Sequence, residues 1–421
     1  MRDLFIGRRR RRRRLLLAAA GAAALGIAVA AFLILRSGGD VHKGEEVEFQ
    51  PEPPPKPIEE KTLDWPFYHR DAAHTGFLPV RLSPPYRRLW LRGGKVLLEF
   101  PPVIAGHTLF FTRNSGGTYA IGTRRGRLKW KKRTGSLAAS SPAYYDHRVF
   151  VTSLTGRIVA LRSRDGKTMW KKQLPSRTES SPIVSKGVLY FGSENGTLYA
   201  LWARTGKVKW TYNAAAAIKA SPALSGGTLY FGDYSGRMYA VWARTGRGRW
   251  STGTSGRSFG LAAGNFYSTP AVAYGRVYAG NTDSKVYSFS AATGELAWTK
   301  STGGYVYSSP AVANVEGTGP TVYVGSYDRN LYALDAQTGS VRWTARAGGR
   351  ISGGPTVIGR IVYFADLDSK STYGVGVHTG ELVFKRNRGA YNPIVSDGKR
   401  IYLTGYSSLT ALEPVSSKKG R

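Results

Sequence analysis

Residues 180–210 read SSPIVSKGVLYFGSENGTLYALWARTGKVKW. Ser180-Ser181-Pro182 opens a short apolar run. Lys186-Gly187 turns it into Val188-Leu189-Tyr190-Phe191-Gly192. Glu194-Asn195-Gly196 turns it again into Thr197-Leu198-Tyr199-Ala200-Leu201, and Arg204-Thr205-Gly206 into Lys207-Val208-Lys209-Trp210. Short runs of β-branched and aromatic residues, parted by Gly turns, mark a four-stranded antiparallel meander.

The unit repeats. Its proline returns at Pro102, Pro142, Pro182, Pro222, Pro270, Pro310, Pro355 and Pro393. Its closing aromatic returns at Trp90, Trp130, Trp170, Trp210, Trp250, Trp298, Trp343 and Phe384. A period of about 40–45 residues with four strands per unit is the signature of a β-propeller. The expected fold is all-β: an eight-bladed β-propeller of four-stranded antiparallel blades. Trp90 precedes the first proline, and no such aromatic follows Pro393. The strand ending at Trp90 therefore completes the last blade, joins the two ends of the chain and removes free sheet edges. The small residues Ala120, Ala160, Ala200, Ala240, Ala333 and Ala411 sit mid-strand and leave room for a packed indole. Trp202 and Trp242 stand where Asp335 stands in its own repeat, as surplus edge aromatics.

Composition bounds the rest. Cysteine is absent, which excludes disulfides, thiolate metal sites, a cysteine nucleophile and a lipoprotein anchor. The formal charge is +35, and residues 62–421 hold 49 Lys/Arg against 18 Asp/Glu. Such a field favours anionic partners and speeds their encounter.

Residues 1–14 form a basic tail ending in the run Arg8–Arg14, and Leu15 to Leu35 follows without a charge. About 20 apolar residues span a bilayer. Arginines before the span stay in the cytoplasm. The expectation is a single N-terminal transmembrane helix, residues 15–35, with the propeller extracytoplasmic at the cell membrane. A cleaved signal peptide is the rival reading, with Ala28-Val29-Ala30 as its cleavage site. Against it, the apolar run continues through Ala31–Leu35. Residues 36–61 are acidic and Pro-rich and read as an extended spacer that holds the ring off the membrane. Residues 62–413 make the ring, and 414–421 a basic tail. His69 and His74 are a close histidine pair in an aromatic entry segment. They lack the further ligands a metal needs, so the segment is expected to pack against the ring.

Leu331-Tyr332-Ala333-Leu334-Asp335-Ala336-Gln337-Thr338-Gly339 with Val341-Arg342-Trp343 resembles the pyrroloquinoline-quinone (PQQ)-type repeat. The lead-in of Trp65, Arg70-Asp71 and His74-Thr75-Gly76 is similar to that of the same family. The resemblance covers about residues 64–413 and implies the propeller fold. It implies less about activity, because the family holds quinoprotein dehydrogenases as well as non-catalytic scaffolds, BamB-like proteins and kinase ectodomains among them. A dehydrogenase of this family would need an adjacent cysteine pair, a Glu/Asn/Asp set for calcium and an Asp base. The chain has no cysteine, and its acids are scattered; Asp366-Leu367-Asp368 is a faint calcium echo. No Gly-x-Ser-x-Gly elbow is present either. No catalytic, cofactor-binding or metal-ligating residue is assigned, and no cofactor is expected.

Binding has a place in this geometry. The loops entering each blade bring Glu99, Glu179, Lys219, Tyr267, Tyr307, and Tyr391 beside Asn392, to one mouth of the central channel. The loops between second and third strands add Glu194, Asp233, Tyr234, Asp283, Tyr327, Asp328 and Asp366 to that face. Gly253 to Asn265 is an insertion carrying Arg257 and Phe259, the kind of loop that carries recognition on a rigid scaffold. The expected function is a membrane-anchored, non-catalytic scaffold of the cell envelope, a monomeric ring whose partner is an envelope protein or an anionic envelope polymer. The alternatives are a PQQ-binding oxidoreductase or quinone sensor, and a binder of wall polymer, anionic lipid or nucleic acid.

Overall fold

A computed structural model describes residues 39–59, 62–135, 137–254, 264–391 and 394–415. The expected membrane span, Arg257, Phe259 and Asn392 lie outside the described residues. The chain divides into two units, residues 1–40 with 255–262, and 41–254 with 263–421. Of the first only Gly39 and Asp40 are described, and everything below concerns the second. Among the described residues there is no helix, and so none long and apolar enough to cross a membrane.

Two short strands come first, β1 (Phe77–Leu78) and β2 (Tyr86–Arg92). The first blade follows as β3 (Val103–Ala105), β4 (Thr108–Arg113), β5 (Gly117–Gly122) and β6 (Leu128–Arg133), paired in that order. The same antiparallel meander recurs to give eight blades. The seventh carries β1 as a fifth, parallel strand beside Thr356–Ile358. The eighth is made of Ile394–Ser396, Ile401–Thr404, Leu409–Pro414 and β2, so the N-terminal strand closes the ring as its outermost member. Trp90 lies opposite Ala411 across that seam. The expected small-residue pairing holds elsewhere too: Ala120 faces Trp130, Ala200 faces Trp210 and Ala333 faces Trp343.

Each closing tryptophan docks on the next blade. The indole N–H of Trp90 donates to the Thr123 carbonyl at 2.9 Å, and that of Trp130 to Ser163 at 2.7 Å. Trp170, Trp210, Trp250, Trp298 and Trp343 repeat the contact at Ala203, Ala243, Ala291, Ala336 and Val377. The ring face covers a turn glycine of that same blade. A Cβ built on Gly126 would stand 2.7 Å from the Trp90 indole, and one on Gly246 would stand 2.6 Å from Trp210. These glycines have positive φ, 60° and 74°. They satisfy the turn and make room for the indole at once. An indole buries about 150–250 Å², and its one polar atom is satisfied here. Trp202 and Trp242 differ: both are about 44 % and 43 % exposed, with Lys209 and Arg249 over their rings.

The entry segment threads the axis. Trp65 exchanges backbone hydrogen bonds with Ile104 (2.9 and 2.8 Å). The carbonyls of Pro66, Ala72, Ala73, Thr75 and Gly76 then accept from Tyr144, Leu224, Val272, Val312 and Val357, one innermost strand after another. It thus pairs the inward edges of six blades, which a propeller otherwise leaves open. His69 and His74 are buried in it. His69 occupies the space left by Gly354, where a Cβ would stand 2.1 Å from Nε2. As expected from the sequence, the pair packs within the ring: His74 is hydrogen-bonded to the carbonyls of Tyr68 (2.7 Å) and Pro222 (3.1 Å).

Residues 41–58 correct an expectation. They do not form a free spacer but lie along the ring. Thr299 N–H donates to Val41 O (3.0 Å), Gln50 N–H to Tyr274 O (3.0 Å), and Ile58 N–H to Pro79 O (2.6 Å). Val47 is buried, and the buried Arg276 guanidinium donates to the carbonyls of Gly44, Val47 and Glu48. Composition hid this, because a Pro-rich strap is held by backbone carbonyls and not by an apolar face of its own.

Two consequences are measurable by urea unfolding. Trp298→Ala, which empties a fully buried docking site, should cost about 3–5 kcal/mol. Trp202→Ala should stay within about 0.5 kcal/mol, as exposed substitutions do. Equal losses at the two positions would show that docking is not what the closing indole contributes.

Candidate functional site

The loops that enter the blades converge on one end of the axis and enclose a cup of about 260 Å³. Six of the nine residues expected there line it together: Glu99, Glu179, Lys219, Tyr267, Tyr307 and Tyr391. They come together because each stands two or three residues before its blade's proline, so the repeat delivers them at one height.

The walls differ in character. On the side of the third and fourth blades, Lys219 pairs with Glu179 at 3.0 Å and reaches Glu194 at 3.8 Å, and Arg177 pairs with Glu194 at 3.1 Å. Lys219 also lies 5.2 Å over the Tyr234 ring, and the Tyr267 hydroxyl donates to Glu179 at 3.4 Å. Burial first, then Glu179 and Glu99, pushes the Tyr267 phenol well up, so it is a donor at all ordinary pH. On the side of the fifth and sixth blades the wall is tyrosine. Tyr307 packs against Tyr267 (5.5 Å, edge-on) and against Tyr327 (4.9 Å), and Arg350 lies 5.5 Å over Tyr327. Tyr305 is exposed beside them. Glu99 accepts from Asn114 at 2.9 Å, and burial, more than the nearby Glu179, raises its carboxyl above the usual range.

The floor was not foreseen. It is Tyr68 of the entry segment, whose hydroxyl donates to Ser309 at 3.2 Å, and a belt of hydroxyls. The amides of Ser141, Ser181, Ser221 and Thr269 donate to the hydroxyls of Ser181, Ser221, Thr269 and Ser309 in the following blade, at 3.0–3.1 Å. The signal was present as Ser or Thr before five of the eight prolines. Of the acids expected from the second-to-third-strand loops, Glu194 joins the wall, and the aspartates serve the fold instead. Asp233 is buried and accepts from Ser235, Arg237 and Tyr239. Asp283 and Asp328 hold their own turns in the same way. Asp366 accepts from Ser369.

Fold and site together define a PQQ-repeat propeller with a tyrosine-lined axial cup. The family model described as outer membrane protein assembly factor BamB matches residues 137–316 and 308–419, and the chain belongs to this family. No curated protein matches. Among solved structures, BamB from Moraxella catarrhalis is similar, with TM-score 0.66 at 17 % identity over 78 % of this chain and 100 % of that one. The quinohemoprotein alcohol dehydrogenase ADHIIG from Pseudomonas putida HK5 gives 0.73 at 15 %, over 86 % and 81 %. A europium-containing methanol dehydrogenase gives 0.70 at 14 %, over 85 % and 99 %. At such identities the likeness is one of fold, and that fold is shared by a protein named for assembly and by named dehydrogenases.

The dehydrogenase relatives raise the question of a quinone and its metal, and the residues here do not fit them. Holding a hard cation takes a cluster of oxygen ligands. The cup's carboxylates, Glu99 and Glu179, stand two blades apart, each already hydrogen-bonded, and no group of three potential ligands exists among the described residues. An anionic quinone would meet those two acids and one lysine that is already paired.

The buried entry segment predicts acid sensitivity. Burial, then the neighbouring His74, pushes the His69 imidazole from 6.5 down to about 3. The unfolded chain takes a proton below its ordinary value and the folded one refuses it. The histidine's contribution is therefore intact above pH 6.5 and is lost as pH falls toward 3. The limiting slope is about 1.4 kcal/mol per pH unit for one such group. Urea unfolding across that window should show the decline, and His69→Gln should flatten it.

Proposed function

We propose that this protein is a non-catalytic docking platform, held on the outer face of the cell membrane by residues 15–35, whose axial mouth grips a segment of an envelope protein. The observation that carries the reading is the composition of the mouth. Tyr267, Tyr305, Tyr307 and Tyr327 cluster with Arg350 at the rim of a cup whose charges are already paired. Tyrosine and arginine anchors around a small pocket are what protein-recognition hot spots use. The rigid ring and buried floor hold those anchors in place before any partner arrives, which lowers the cost of ordering them. Among the described residues no group of three potential metal ligands lies in the cup, and Glu179 is engaged by Lys219, which favours a binding role over the oxidoreductase alternative.

The test uses the full chain in its native envelope. A photo-crosslinking residue in place of Tyr305 should give a discrete protein adduct, and one in place of Thr344 on the outer edge should not. Tyr327→Ala should weaken capture by about thirty-fold, the scale of a hot-spot loss of about 2 kcal/mol. The chain should leave the membrane fraction only with detergent and retain its N-terminal residues by mass spectrometry. Alcohol oxidation after incubation with PQQ and calcium, or adducts equally frequent at both positions, would overturn the reading.

A further inference from the structure

The ring's positive charge is gathered on one arc. The outer edge of each blade is a twelve-residue stretch from the end of the third strand through the fourth. In the first four blades these are residues 122–133, 162–173, 202–213 and 242–253, and together they hold eighteen Lys/Arg and one acid. The matching stretches of the fifth to seventh blades, 290–301, 335–346 and 376–387, hold five Lys/Arg and three acids. All seven stretches fold alike around one docked aromatic, so folding does not ask for the difference. A genome rich in arginine would raise both arcs equally. The one acid of the basic arc, Asp165, is taken up by Arg162 at 2.7 Å and Arg164 at 3.7 Å.

Two exposed tryptophans stand on this arc. Lys209 lies 4.9 Å over Trp202, and Arg249 lies 4.3 Å over Trp242. At the same register in the sixth blade, Arg342 pairs with the Asp335 carboxylate at 2.6 Å. The third and fourth blades thus replace a carboxylate by an indole and leave their cations uncompensated. Tryptophan beside Lys and Arg is the composition of a membrane–water interface.

The described start of the strap lies on the blade that borders this arc. Val41 and Lys43 pair with Thr299 and Ala297 on the outer strand of the fifth blade, against which Trp250 of the fourth blade is docked through Ala291.

We propose that the outer edge of the first four blades is a docking surface for the anionic phospholipid headgroups of the membrane that holds the chain. This rests on the anchoring proposed above. Cations near an anionic surface each contribute roughly five-fold in affinity, and an anchor in the same chain keeps the local concentration of that surface high. Single-stranded nucleic acid would call for aromatic faces open to stacked bases, and these two rings each carry a cation.

The chain has no cysteine, so a single label reports one place. Thr211→Cys on the third blade and Thr344→Cys on the sixth share a register and are both exposed. Each full-length variant, carrying an environment-sensitive fluorophore, is placed in nanodiscs of neutral or of mixed anionic phospholipid. The label at 211 should shift to the blue and become several-fold less accessible to an aqueous quencher on anionic discs alone. The effect should vanish at about 1 M salt, where screening acts within about 3 Å, and the label at 344 should not respond. Neutralising three exposed lysines or near neighbours (Lys131→Gln, Lys132→Gln, Lys171→Gln) should lower the docked-to-free ratio by roughly a hundred-fold. Equal signals at 211 and 344, or a signal indifferent to lipid charge and salt, would overturn the proposal. A shift at 211 produced by added nucleic acid on neutral discs would overturn the choice of lipid. A chain that loses its N-terminus and does not enter discs refutes the anchoring instead; its 211 label, read in solution with anionic vesicles, still decides the edge.

Discussion

The ring depends on one contact made seven times: an indole laid across a turn glycine of the next blade, with its N–H on a carbonyl of that turn. The contact couples two demands that a sequence usually meets separately. The turn needs positive φ, and the indole needs a flat surface without a Cβ; glycine answers both. Because the acceptor is backbone, the hydrogen bond survives any side chain at that position, and Thr, Ser, Ala and Val all occur there. The dock between blades is therefore specified by the glycine and the tryptophan, whatever side chain carries the acceptor.

The exception follows from the same logic. The last closing aromatic is Phe384, not tryptophan. Its docking turn would lie between the third and fourth strands of the eighth blade, and there the chain is cut: one strand ends at Pro414 and the other begins at Tyr86. The described strands there are not joined by the turn that supplies glycine and carbonyl in the other blades. The seam is held instead by Tyr86, whose hydroxyl meets that of Tyr363 at 2.7 Å while both rings stand edge-on to Phe384. Val415 N–H on the Pro85 carbonyl at 2.9 Å ties the two ends.

What the sequence disclosed follows from periodicity. Blade number, strand order and closure through Trp90 could all be read because each is stated eight times over. The mouth could be read in part for the same reason, since residues at a fixed offset before each proline arrive at one height. The floor could not. Tyr68 belongs to a segment that occurs once, and its place under the cup depends on backbone pairing with six inner strands. That Asp233 and Asp283 are taken up by their own turns could not be read, because a turn acid looks the same in sequence whether it faces solvent or closes its own turn.

The strap shows how a segment without a core of its own is still fixed. Its residues bury little beyond Val47 and parts of Phe49 and Ile58. The ring supplies the missing interaction as Arg276, whose guanidinium is withdrawn from water and surrounded by the strap's carbonyls. A buried cation is costly without such partners, and burial accordingly pulls its pKa down. The strap's carbonyls replace the water this guanidinium has lost, so strap and ring are joined at Arg276 by charge-assisted hydrogen bonds. A proline-rich, acidic stretch can thus be part of a folded domain when the domain offers a donor with several hydrogens and no water to bind instead.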